Sequence, residues 1–135
     1  MANDAQEWAN SISEWCADSQ QDASAAVASK ARELYKMVVQ LSPSPSYTVG
    51  GYSKGHFIKN YRIGPFPQVG EVAGTETESQ TLARIDYQIP DEYFLVNEKV
   101  TMTNSTPYIE EIEYKGWKRT GAYMPIATVL SMFLN

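Results

Sequence analysis

The chain has 135 residues, 43% of them hydrophobic and 20% charged, and a formal net charge of −5. That is the composition of one soluble globular domain; it excludes a wholly disordered chain and lacks the basic balance that broad nucleic-acid binding requires. One cysteine (Cys16) and one histidine (His56) exclude an internal disulfide and are too few for a zinc site.

No apolar run approaches the ~18 residues of a membrane helix, and Met1-Ala2-Asn3-Asp4 lacks the basic and apolar regions of a secretory signal. The expectation is a reduced protein made in the cytoplasm, with no membrane partner.

Residues 4–41 read as helical. Trp8, Ile12 and Trp15 fall at i, i+4 and i+7, and Val27, Ala31, Leu34, Val38 and Leu41 resume that spacing. One continuous helix here would be roughly 57 Å long, against a radius of gyration of about 14 Å for a compact domain of this size. Either the helix breaks near Ser19–Asp22 or it projects and packs on something else; the break is expected, giving two helices, with Ser19 or Asp22 capping the second. Lys30, Arg32 and Lys36 then suit the negative end of its dipole, and Pro43 and Pro45 stop it.

Residues 42–55 are a Pro/Ser/Gly loop. Residues 56–63 alternate as a strand. A second loop covers 64–79, and 78–87 fits a short helix or a strand. Pro90-Asp91 makes a turn. Residues 93–103 read as extended, divided by a turn at Asn97-Glu98. Residues 108–114 read as a helical turn, 115–121 as a loop and 122–134 as a closing helix with Pro125 in its first turn. The sum is an α+β fold: N-terminal helices on a small antiparallel sheet, with a short C-terminal helix and mainly strands and loops over 56–114.

The search for chemistry is negative. His56 has no acid or nucleophile partner that the sequence can place beside it. Cys16 lies near Glu14 and Asp18, the wrong charges to stabilise a thiolate. Glu110, Glu111 and Glu113, followed by Lys115, Lys118 and Arg119, read as a solvated or intersubunit charge cluster. Gly50, Gly51 and Gly55 match no phosphate-binding motif. The Asn104-Ser105-Thr106 sequon is a chance match in a chain without a secretory signal. Lys54, Lys59 and Arg62 interleave with Tyr52, Phe57 and Tyr61 but are too few cations for a nucleic-acid site. No catalytic, cofactor-binding or metal-ligating set is expected. What remains is aromatic: nine tyrosines and three tryptophans, residues enriched at protein interfaces.

Four stretches, in order, give the chain a resemblance to the tail-completion or head–tail joining (neck) proteins of long-tailed bacteriophages. Leu41-Ser42-Pro43 is similar to that family's helix end. Gly55-His56-Phe57-Ile58-Lys59-Asn60-Tyr61 resembles its Gly-x-Phe/Leu-Arg-x-Asn-Trp element. Val100 to Tyr108 resembles its strand ending in Asn-x-x-Pro-Tyr, here Asn104, Pro107 and Tyr108. Ile112-Glu113-Tyr114-Lys115-Gly116 and Gly121-Ala122-Tyr123-Met124 resemble its last elements, which flank Trp117. The chain departs from the family at Ser53-Lys54, where Asp-Thr is usual, in a longer loop from Pro43 to Gly55, and at Lys115, an extra residue.

The resemblance implies a non-enzymatic virion protein without cofactors, forming a homo-oligomeric ring, a hexamer in preference to a dodecamer. It would sit at the head–tail joint between the tail terminator or tube protein and the head connector proteins, with DNA passing through its lumen without specific binding. A tail terminator is the alternative within phage proteins; a small DNA-binding module or an enzyme accessory is the alternative from other classes. In the residues themselves, Asn104 is expected to bond nearby backbone in a turn, Pro107 to fix φ, Tyr108 to pack under the turn, Glu113 to anchor backbone amides, and Gly116 and Gly121 to permit turns around Trp117. The Lys115–Thr120 loop is expected to project toward a neighbour. The acidic segment 71–98, Glu76 and Glu78 included, is expected to face the lumen in part.

Overall fold

The computed structural model describes residues 2–44, 52–110, 112–113 and 125–126. Its first element, α1 (Ala2–Leu41), is a single continuous helix of 40 residues. The expected break at Ser19–Asp22 is absent. The reason is chemical: no glycine or proline occurs before Pro43, and alanine-rich sequence around possible capping residues is no substitute for a breaker. At about 1.5 Å per residue the helix is roughly 60 Å long.

Only its C-terminal half belongs to the body. Residues 4–23 are exposed throughout, and Ser24 is the first buried residue. From there Ala28, Val38 and Val39 are buried, with Ala31, Leu34, Tyr35 and Met37 packed around them. Ser42 closes the helix with its N–H on the Val39 carbonyl (3.1 Å) and its hydroxyl on the Val38 carbonyl (3.0 Å).

The stretch expected as a strand over 56–63 is instead helix α2 (Lys54–Lys59) followed by strand β1 (Arg62–Gly64). The Ser53 side chain caps α2 at the His56 N–H. Phe57, Ile58 and Tyr61 are all buried, at the i, i+1, i+4 offsets of one helical face, whereas strict alternation would have put Phe57 and Ile58 on opposite faces. Gly55 is needed for close approach: a Cβ there would meet the Glu76 carbonyl and the Thr75 side chain at 3.1 Å.

Loop 65–77 leads to α3 (Glu78–Gln88), which opens on a full capping box. Thr77 Oγ1 accepts the Gln80 N–H (3.1 Å), and the Gln80 side chain accepts the Thr77 N–H (2.9 Å). The segment expected as extended over 93–103 is divided at Asn97-Glu98, as its sequence indicates. Its first part, however, is a single-turn helix, α4 (Tyr93–Val96), and only β2 (Thr101–Thr103) is a strand. Asn97 ends α4 with both its backbone and side-chain N–H groups on the Tyr93 carbonyl.

β1 and β2 form a two-stranded antiparallel sheet, Arg62 opposite Thr103 and Gly64 opposite Thr101. The fold is α+β. The core joins α1, α2, α3 and the sheet through Val38, Val39, Phe57, Ile58, Tyr61, Ile63, Ile85, Ile89 and Ile112. A helical turn occupies 109–110, and of the expected closing helix 122–134 the helical residues 125–126 are described. The rest of that helix, the 115–121 loop, and Gly116, Trp117, Gly121 and Met124 lie outside the described residues, as do 45–51 of the first loop.

Candidate interaction surface

Of the described residues that carry the resemblance, Phe57, Tyr61 and Tyr108 meet, with Tyr52, in one internal aromatic centre. Phe57 stacks edge-on to Tyr61 (ring centroids 5.1 Å), and Tyr108 packs edge-on to Tyr52 (5.1 Å) and against Phe57 (5.9 Å). The helix end is pinned to these rings. Tyr61 donates to Ser42 Oγ (2.8 Å), whose own proton goes to Val38, and Tyr52 donates to the Pro43 carbonyl (2.6 Å). Burial pushes the phenols of Tyr61 and Tyr108 up; it pushes Tyr35 up to about 12 with help from Tyr93. These rings stay neutral and serve packing.

Two asparagines stitch the surrounding backbone. Asn60, fully buried, donates to the His56 and Val72 carbonyls and accepts the Val72 N–H (2.7 Å). Asn104 donates to the Phe57 carbonyl (2.9 Å) and accepts from the Thr106 N–H and hydroxyl. That is the turn bonding its sequence context indicates. Pro107 follows in an exposed turn. Glu113 is buried rather than solvated, and its carboxylate accepts the Ile126 N–H (2.7 Å). It thus anchors the final segment.

Arg84, which the sequence offers only as a lone cation, ties the body together. Its guanidinium makes a forked pair with Glu76 (2.8–3.1 Å) and donates to the Ile58, Lys59 and Tyr61 carbonyls, the open end of α2. Burial raises the Glu76 pKa, but the Arg84 and Thr81 hydrogen bonds and the Arg84 and Lys59 charges outweigh it and hold the carboxyl below its usual range. Glu78 pairs with Lys54 (3.1 Å). Glu76 and Glu78 are thus each paired with a cation of their own chain, Arg84 and Lys54. Arg32 and Lys36 likewise pair with Asp86 and Asp91 on the α3 side (2.6–3.9 Å); the last turn of α1 carries no basic residue.

His56 sits at the rim of this body. Its Nδ1 faces the Gly74 carbonyl (2.8 Å) and its Nε2 the Glu71 carboxylate (3.1 Å). Both neighbours are acceptors, so a protonated ring donates to both and a neutral ring to one of them. The Gly74 carbonyl first and then Glu71 raise its pKa, against slight desolvation and Lys59. Among the described residues no cluster of side chains suits a metal ion, and no helix is long and apolar enough to cross a membrane.

The outward-facing chemistry is elsewhere. Trp8 (70% exposed), Ile12 and Trp15 (69%) form a stripe on the free half of α1. They precede the body-facing Ser24, Ala28 and Ala31 by sixteen residues each, roughly four and a half turns at about 3.6 residues per turn. The stripe therefore points away from the side on which α1 meets its own body. All charges before Lys30 are acidic: Asp4, Glu7, Glu14, Asp18 and Asp22. Five of the sixteen acidic residues lie here, so the remainder of the chain, with eleven of each sign, is formally neutral. Exposed Cys16 adjoins the stripe.

Comparison of the chain with protein-family models, with curated proteins and with solved structures yields no match.

Proposed function

We propose that the chain is a non-enzymatic virion structural protein. It completes or joins the head-proximal end of a long-tailed phage tail, as the subunit of a ring between connector and tail. The observation that carries this reading is the free half of α1. A helix of twenty exposed residues with two tryptophans on one face is stable in water only at a cost, and it makes sense as a surface waiting for a partner. Among the described residues the body behind it is braced by hydrogen bonds and ion pairs, which suits a scaffold. The ordered resemblance of the Leu41–Pro43, Gly55–Tyr61, Val100–Tyr108 and Ile112–Gly116 stretches supplies the kind of assembly. In this reading the tail terminator or tube protein lies on one side and the connector proteins on the other, with a hexamer as the preferred ring.

The test is antibody labelling of intact source particles under electron microscopy. Label at the head–tail joint is expected. Label confined to another part of the particle, or particles without label although the epitope is accessible, would overturn the reading.

A further inference from the structure

We infer that the free half of α1 from one copy seats on the Phe66–Val69 patch of a second copy. This rests on the ring-forming reading above and names the two surfaces that would build the ring.

The first surface is the arm. Its stripe faces away from its own body, so no rigid rotation of the straight helix about its axis can satisfy both faces at once. Two largely exposed tryptophans, each with about 150–250 Å² of side-chain surface, and Ile12 make an apolar patch of the size that marks interaction sites on monomers. The five carboxylates have no cation before Lys30. Two arms laid side by side would set like charges together, which disfavours arm-to-arm pairing.

The second surface is on the body, where Phe66 (69% exposed) and Val69 (87% exposed) stand beside the sheet. The Lys99 ammonium lies 5.9 Å from the Phe66 ring, and Arg62 donates to the Val69 and Gly70 carbonyls. Among the described residues neither Arg62 nor Lys99 has a carboxylate partner in an ion pair. An acidic, aromatic arm and an apolar patch flanked by the Arg62 and Lys99 cations are thus carried by the same chain, and the arm's carboxylates and rings complement those cations and the exposed Phe66 and Val69. A contact between two different surfaces of identical copies runs head to tail, and it closes into a ring when the rotation allows. The exposed arm, about 30 Å long, spans a distance comparable to the diameter of a small domain, enough to reach across one neighbour.

Two full-length variants test this by analytical ultracentrifugation. One carries Trp8→Glu and Trp15→Glu on the arm; the other carries Phe66→Asp and Val69→Asp on the patch. All four positions are exposed, and circular dichroism checks that each variant keeps its helix content. Wild type is expected to associate as concentration rises, less so at high salt. Each variant alone is expected to lose at least about tenfold in association constant. An equimolar mixture is expected to regain association but stop at a one-to-one dimer, because it holds one intact arm and one intact patch. A patch variant that associates like wild type, a mixture that stays monomeric, or a wild type that is monomeric at every concentration would each overturn the inference. None of these results bears on where antibody labels the particle, so the two readings fail separately.

Discussion

Asn60 and Arg84 each use one side chain to hold three or more backbone groups. Asn60→Ala would leave the Val72 N–H and carbonyl without their partner inside the protein. The expected loss is about 1–3 kcal/mol in a urea titration, at about 1 kcal/mol per lost hydrogen bond, because Val72 is itself exposed and its freed groups can turn to water. Arg84→Ala would leave Glu76 unpaired and the α2 carbonyls uncapped, with a loss of about 2–4 kcal/mol given the partial exposure of the pair. Arg84→Lys would recover only part of this, since an ammonium cannot span a carboxylate and three carbonyls in one plane. His56 gives a pH signature. Its folded pKa is raised above 6.5, so the stability it contributes is fully present below that value and is lost as pH rises through the folded pKa. Urea midpoints of wild type and His56→Ala are therefore expected to differ more at about pH 6 than at about pH 9. Glu76 acts in the opposite sense, its contribution being lost as acid takes the pH below 4.5 and through its lowered folded pKa.

At the scale of elements, the helices show what sequence could and could not reveal. The helical character of 4–41 is plain from its spacing; its continuity follows from the absence of glycine and proline before Pro43, which prevails over the compactness expected of a domain this size. Of the strand expected at 56–63, only Arg62 and Ile63 are strand; 56–59 are helix because Ser53 supplies a cap and burial follows the 3.6-residue period, a choice that eight residues with apolar groups on both faces leave ambiguous. Spacing leaves 78–87 open between helix and strand; the capping box of Thr77 and Gln80 decides 78–88 for helix. The bonding of Asn104 was also legible, because it is local. The bonds of Asn60 to Val72 and of Arg84 to Ile58, Lys59 and Tyr61 were not, since these partners lie 12 to 26 residues away. The one-sided charge of the arm stands in the sequence for any reader who counts acids before Lys30. A prediction belongs here: Ser19→Pro is expected to kink α1 where nothing packs on it. The body's urea midpoint should stay within about 0.5 kcal/mol of wild type, while self-association falls.

The whole molecule divides into a braced, formally neutral body and an acidic, aromatic arm. In the proposed reading the body is the scaffold and the arm the adaptor. It also explains why chemistry-bearing residues yield so little: His56, Glu76, Glu78 and Glu113 are all engaged in holding the fold. The central claim is that the arm's tryptophans are an interface. The most direct measurement is tryptophan fluorescence of a Trp117→Phe variant, in which only Trp8 and Trp15 report, recorded beside sedimentation over a concentration series. The account predicts solvent-exposed emission at low concentration and a blue shift that tracks oligomer formation. Oligomers that form while the emission stays that of exposed tryptophan would contradict it.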